Sequence, residues 1–376
     1  MLRNLLGITM LVFSLPLCNV YAQQAAKPKN IILLIGDGMG AAQVSTAFFF
    51  QEETPNFIRF PYTGLVLTSA GNAKITDSAA GATAYASGVN TYNGAIGVTL
   101  DSVEVPTIVE QVSAKGYSTG VIATSSITHA TPAAFYAHTL SRNQHEDIAK
   151  HLANSSIDFF AGGGQDFFMK RKDGVNYIDK LEENGFTVNT ESLQVNGSLS
   201  VNNKYGFLLA NDGMPRMLDG RGDFLPRATR MAINHLSQNE DGFFLMVEGS
   251  QIDWGGHAND SEYIVTEVLD FDKAVGEALD FAEQNGNTLV IVTADHETGG
   301  YSLSSKTIRG FGGTKRSDYD QLDPTFSTGG HSATMIPSFA FGPGAESFSG
   351  IYRNTQIYFK MMESLGQPID ARGMRD

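Results

Sequence analysis

The stretch Ile31-Ile32-Leu33-Leu34-Ile35-Gly36-Asp37-Gly38-Met39-Gly40 decides the fold. Its first five residues are apolar and three are β-branched, so the strand they form has no polar face. Such a strand is buried on both sides, as in a parallel sheet covered by helices. The run stops at a Gly-Asp-Gly turn and a helical-looking segment from Ala41 to Phe49 follows. A carboxylate leaving the carboxyl end of a central strand sits where open α/β sheets place ligands. Asp37 also suits an ordinary strand-to-helix turn. No Gly-Lys-Ser/Thr follows, so the segment is not a P-loop.

Two more runs of this kind lie further along, Phe243-Phe244-Leu245-Met246-Val247 and Leu289-Val290-Ile291-Val292. Shorter apolar segments read as strands at Tyr117–Thr124, Phe159–Ala161, Phe186–Val188, Phe207–Ala210 and Ser338–Phe341. Between them, helical patterns occupy Pro106–Ala114, Asn143–Ala153, Tyr177–Glu183, Leu225–Leu236, Glu262–Gln284 and, last, Thr355–Leu365. Alternating strands and helices predict an α/β fold, a three-layer sandwich with a mostly parallel central sheet and helices on both faces. No repeat or linker divides the chain, so residues 23–376 are expected to form a single domain. Tyr301–Thr328 is rich in Gly, Ser and charge and reads as a loop or short excursion. Met39 and the Phe48-Phe49-Phe50 run are expected in the core.

Composition narrows the function. A net charge of −14 disfavours a nucleic-acid surface, which needs clustered Lys and Arg. The first residues give a short positive start, an apolar run from Leu5 to Leu17 too short to span a bilayer, and a small-residue cleavage pattern at Val20-Tyr21-Ala22. Residues 1–22 therefore read as a signal peptide, and the mature chain as periplasmic or secreted. A lipoprotein reading of Leu15-Pro16-Leu17-Cys18 is disfavoured by the bulky Leu17. Cys18 is the only cysteine, so the exported chain has no disulfide. No later stretch is long and apolar enough for a membrane helix. The 40 glycines are consistent with low stability and cold activity.

The chemistry gathers where the buried strands end. Asp37 follows the first; Glu248, with Asp253 and His257, follows the second; Asp295 and His296 follow the third; His331 stands after Gly329-Gly330. Carboxylates with imidazoles suit zinc, and carboxylates with hydroxyls and water suit magnesium. One such cluster is a weak signal, because turn Asp and satisfied His are common. Several on one sheet rim are much stronger. Lys74-Ile75-Thr76-Asp77-Ser78-Ala79-Ala80-Gly81-Ala82-Thr83-Ala84 adds a hydroxyl at a helix start, where free N–H groups favour an anion. It is a plain N-cap unless something activates Ser78.

Asp37-Gly38-Met39-Gly40, Thr76-Asp77-Ser78-Ala79-Ala80, Asp253 through His257, Thr293 through Glu297 and Gly329-Gly330-His331 resemble the ordered motifs of the alkaline phosphatases. The resemblance spans essentially the whole mature chain. It implies an α/β sandwich, a homodimer, and hydrolysis of phosphate monoesters through a phosphorylated Ser78. It also implies two Zn2+, one held by Asp253, His257 and His331 and one by Asp37, Asp295 and His296. A third site, normally Mg2+, would share Asp37 with Thr131 and Glu248, and Arg142 would clamp the phosphoryl oxygens. Two positions depart from the best-known bacterial enzyme: His129 stands where it has Asp, and Trp254 where a Lys reaches phosphate through water. His129 is thereby a candidate ligand or neighbour of the third metal, and loss of the Lys implies weaker phosphate binding. A phosphodiesterase or sulfatase of the same superfamily, or a non-catalytic exported metal- or phosphate-binding protein, would share parts of this pattern.

Overall fold

The structure, a computed structural model, describes residues 27–195 and 197–367. The expected signal peptide lies outside them. In chain order the strands are β1 (Asn30–Gly36), β2 (Tyr62–Leu67), β3 (Ser118–Ser126), β4 (Phe159–Gly163), β5 (Phe186–Asn189), β6 (Lys204–Leu208) and β7 (Phe243–Gly249). Then come β8 (Thr288–Thr293), β9 (Glu297–Thr298), β10 (Ser302–Arg309), β11 (Lys315–Thr325), β12 (His331–Ser332), β13 (Ile336–Phe341) and β14 (Gly350–Arg353).

Ten of them make one sheet in the order β14-β2-β13-β8-β1-β7-β3-β4-β6-β5. All neighbours pair parallel except β13, which runs antiparallel to both β8 and β2. Every residue of β1, β7 and β8 is buried, which requires cover on both faces. The long helix Ser261–Asn285 packs on β8, β1 and β7, and the helix Phe224–Leu236 on β3, β4 and β7. Helices Ile108–Ser113 and Ala130–Ala133 also touch β3. Burying a side chain such as Leu33 contributes about 1.5–3 kcal/mol, so a charge at that position would break the centre of the sheet. The expected three-layer α/β sandwich is the fold observed.

Local sequence sets the helix ends. Ser261–Asn285 starts at Asp260, whose side chain accepts from Tyr263 N–H, and stops at Gly286 with φ +73°. Ile108–Ser113 starts on a reciprocal capping box between Thr107 and Glu110.

Three expectations need correcting. Phe48, Phe49 and Phe50 are 43%, 64% and 38% exposed, because they fall at the end of the helix Ala41–Phe49, past its buried face; Met39 is buried as expected. The Tyr301–Thr328 segment is largely an antiparallel hairpin of β10 and β11, with a register shift at Ser305/Lys306. Strands β2 and β14 were not expected from the sequence; they lie at one edge of the sheet, where four of the six residues of β2 are exposed.

What positions the site is the run β8-β1-β7. The register pairs Ile35 with Thr293 and with Glu248, and Gly36 with Gly249, so Asp37, Glu248 and Asp295 emerge at one rim.

Candidate active site

Asp37 leaves β1 fully buried, and neither of its carboxylate oxygens makes a hydrogen bond. The turn after it needs glycine: Gly38 has φ +71°, and a Cβ there would lie 2.8 Å from Asp253 Cα. Gly38 N–H donates to Asp295 Oδ1 at 3.1 Å. The other oxygen of Asp295 and Oε1 of Glu248 are also buried without a hydrogen bond. Glu248 Oε2 accepts from Ser250 Oγ at 2.5 Å and from Ser125 Oγ at 3.3 Å.

Asp253 and His257 lie one turn apart on the helix Gln251–Ala258, with His257 Nε2 3.4 Å from Asp253 Oδ2. His331 reaches them from β12, whose two residues pair with β9. His331 Nε2 is 3.2 Å from His257 Nε2 and 3.6 Å from Asp253 Oδ1. His296 stacks on His331 with ring centroids 3.6 Å apart, and its Nε2 is 3.3 Å from Asp295 Oδ2 and 3.5 Å from Asp37 Oδ1.

The ring protons of these three histidines are placed by their Nδ1 partners. His257 and His331 each present Nδ1 to a backbone carbonyl, Gly329 O at 2.8 Å and Thr76 O at 2.9 Å, so Nδ1 is the donor. Thr298 Oγ1 donates to Asp253 Oδ1 at 2.5 Å and so accepts from His296 Nδ1 at 3.2 Å. Each Nε2 is left with its lone pair facing the carboxylates, the arrangement by which outer groups orient imidazole ligands. Thr298 thus links two of the clusters, a role that sequence reasoning missed.

Ser78 begins the helix Ser78–Ser87 and is 1% exposed, with its Oγ 3.4 Å from His296 Nε2. The cap is Asp77, whose Oδ1 accepts from Ala80 N–H at 3.0 Å. Small residues behind Ser78 let the helix approach β8's end: a Cβ on Gly81 would lie 3.1 Å from Asp295 Cβ. Arg142 comes in from the other side, its Nη1 3.1 Å from Asp77 Oδ2 and its Nη2 3.2 Å from His129 Nε2. Arginine only donates, so His129 Nε2 accepts, which leaves the proton of its neutral ring on Nδ1. Thr131 is fully buried against Glu248. Trp254 stands between Asp253 and Gly255, edge-on to His129 at 6.2 Å and tight against Gly213.

Among the described residues, three groups have donor atoms close enough to share an ion: Asp37, Asp295 and His296; Asp253, His296 and His331; and Asp37, His129 and Glu248. The electrostatics call for cations there. Burial, then repulsion from Asp295, Asp253 and Glu248, holds the Asp37 carboxyl well above its ordinary range. Burial likewise raises Asp295 and pushes Glu248 up to about 7. His296 is pushed down to about 3, first by burial and then by His331, and burial takes His129 to about 3. Buried carboxylates without counter-charge cost several kcal/mol each, whereas a neutral imidazole with its lone pair turned to them, as in His296, is a ready ligand. The unpaired oxygens of Asp37, Asp295 and Glu248 therefore fit bound metal.

The remaining histidines stay out of this cluster. His138 bridges Gly97 O and Glu110, His145 stacks on Phe167, and His235 packs against Phe159 and Tyr205. A cavity of about 620 Å3 lies beside His138 and His151 and takes no residue from the carboxylate cluster.

With this geometry in place, the chain is seen to belong to the alkaline phosphatase family, whose model matches residues 28–322, and it is an enzyme of that class. It is 34% identical to alkaline phosphatase 4 of Bacillus subtilis, over 91% of this chain and 90% of that one. It is 32% identical to the alkaline phosphatase of Escherichia coli, over 90% and 86%. The solved structure of the alkaline phosphatase from the Antarctic bacterium TAB5 is 52% identical, with a TM-score of 0.89 covering 92% of this chain and 100% of that one. A variant of that enzyme has been solved with magnesium bound.

Proposed function

We propose that the chain hydrolyses phosphate monoesters through a phosphoserine on Ser78. The observation that carries this reading is the placement of Ser78 Oγ, buried at a helix start and 3.4 Å from His296 Nε2, opposite an Arg142 that Asp77 holds in place. In the first half-reaction Ser78 Oγ forms a bond to phosphorus as the ester P–O bond breaks and the alcohol leaves with a proton. In the second, water attacks the phosphoserine, the Ser78 O–P bond breaks, and inorganic phosphate departs. The transition states are loose, so positioning and charge stabilisation carry most of the catalysis. Arg142 offers a planar fork to two phosphoryl oxygens, and the free N–H groups at the start of the Ser78 helix add positive potential.

Two Zn2+ would be held by Asp253, His257 and His331 and by Asp37, Asp295 and His296, and a Mg2+ by Asp37, Thr131 and Glu248, with His129 as its neighbour. When bound, they would lower the serine pKa and hold the attacking and leaving oxygens in line. The two sets that include imidazole suit zinc and the oxygen-only set suits magnesium.

Residues 23–376 are proposed to act as one exported catalytic domain after removal of residues 1–22; among the described residues no helix is long and apolar enough to cross a membrane. For the homodimer that the resemblance implies, the exposed Phe48-Phe49-Phe50 surface is the face a second copy would cover. Sedimentation of Phe49→Ser should show a shift toward monomer, and an unchanged oligomer would place the interface elsewhere.

The deciding experiment is Ser78→Ala assayed with zinc and magnesium present. Monoester turnover should fall at least about 1,000-fold, and full retention would exclude the mechanism. Comparing monoester with diester turnover in the native enzyme separates the phosphodiesterase alternative.

A further inference from the structure

The segment that ties Ser78 to Arg142 is the turn at Asn93-Gly94. The Asn93 side-chain carbonyl, Oδ1, accepts from Asp77 N–H at 2.9 Å, and its Nδ2 donates to Ile75 O at 3.0 Å. These partners fix the amide orientation, since a backbone N–H only donates and a carbonyl only accepts. The amide imitates one rung of a strand ladder and grips residues 75–77, the last before Ser78. The next residue, Gly94, accepts from Arg142 N–H through its carbonyl at 2.7 Å. Gly94 has φ +89° with open space around a would-be Cβ, so glycine is needed there for its backbone angle and not for room. Two residues on, Ile96 and Thr139 exchange both backbone hydrogen bonds at 3.0 and 2.9 Å, which seats the Arg142 segment along the same strip. The circuit closes through Asp77 Oδ2 and Arg142 Nη1 at 3.1 Å.

We infer that Asn93 is a positioning residue that sets Ser78 and Arg142 in register with each other. The inference rests on the proposed roles of those two residues. Asn93 acts through the backbone of Asp77: the hydrogen bond fixes the height of the helix start, while its neighbour's carbonyl fixes the chain that carries the guanidinium. A displacement of about 1 Å between an attacking group and its partner can cost about 100-fold, so this brace matters to rate.

The test is a double-mutant cycle of Asn93→Ala and Arg142→Ala, reading kcat/KM on a phosphate monoester and inhibition by inorganic phosphate, with thermal midpoint and metal content alongside. Asn93→Ala should lower kcat/KM by about 10- to 100-fold and weaken phosphate inhibition, with midpoint and metal content near native. With Arg142 already removed, the same change should cost less than about threefold, because nothing remains to be aligned. An equal loss in both backgrounds, or no loss from Asn93→Ala in a folded protein, overturns the inference. If Asn93→Ala does not accumulate folded, Asn93→Asp serves in the same cycle. It keeps the acceptor for Asp77 N–H and loses the donor to Ile75; non-additivity supports the inference and additivity overturns it. If native turnover does not depend on Ser78, the functional reading fails and takes this inference with it. An additive cycle in a Ser78-dependent enzyme removes the Asn93 inference alone.

Discussion

Asp77 and Arg142 form an ion pair of 3.1 Å in which the same carboxylate, through its other oxygen, caps the helix beginning at Ser78. The two tasks can be separated. Asp77→Ala should lose the cap, about 1 kcal/mol of stability, whereas Asp77→Asn should lose much less because Asn caps well. Both should weaken inhibition by phosphate by no more than about fivefold, since a partly exposed pair is worth at most about 1 kcal/mol. Thermal unfolding and inhibition constants measured on the two variants check the split.

Thr298 Oγ1 accepts from His296 and donates to Asp253, and so couples two side chains that come from different strand ends. Thr298→Val keeps the shape and removes the hydroxyl, so His296 and Asp253, both proposed ligands, each lose a hydrogen bond that orients them. Metal retention against a chelator should fall about 10- to 100-fold, with a cost at both proposed zinc positions. Retention equal to the native enzyme would show that the hydroxyl is dispensable.

Trp254, proposed to stand where a cation would face the phosphate, packs against His129 and Gly213. Trp254→Lys adds a positive charge at the site and should tighten inhibition by inorganic phosphate, about fivefold for roughly 1 kcal/mol of new attraction, and slow product release. Inhibition that stays level or weakens rules out Trp254 as a determinant of phosphate affinity.

His138 meets acceptors at both ring nitrogens, Gly97 O at 2.8 Å and Glu110 Oε1 at 3.1 Å, so its cation is the form the fold satisfies. The hydrogen bond to Glu110 raises the His138 pKa, against the opposing effect of burial. A raised pKa in the folded state gives stability that is complete below about pH 6.5, the unfolded value, and is lost as pH rises through the folded value. His138→Gln should therefore destabilise the protein more at pH 5.5 than at pH 9. Denaturant midpoints for both proteins across that range test the sign; a gap that widens with pH contradicts it.

The centre of the sheet was readable because β1, β7 and β8 are buried on both faces and so appear as unbroken apolar runs. The edge was not. Strand β2 exposes alternate residues, β14 is short, and β10 and β11 are mostly polar and pair only with each other. The Phe48-Phe49-Phe50 run misled for the opposite reason: apolarity predicts burial, but the run falls at the end of its helix, past the face that packs on the core. At the site, Asp and His at strand ends were visible as chemistry. Thr298 and Asn93 were not, because their work is done through hydrogen bonds to groups distant in sequence, while Thr and Asn are ordinary turn residues anywhere.

The short β9–β12 ladder has a consequence for how such a chain can change. His331 is paired directly with Thr298, and Gly299 N–H donates to Gly330 O at 3.0 Å, so the β10–β11 hairpin between them is closed at its base. Material added at the hairpin tip would leave the spacing of His331 and His296 untouched. The helix Gln251–Ala258 has no such freedom, since one residue inserted between Asp253 and His257 would swing the imidazole about 100° away from the carboxylate. The hairpin is thus the place where this architecture can acquire new length, and hence new partners, while its chemistry stays fixed.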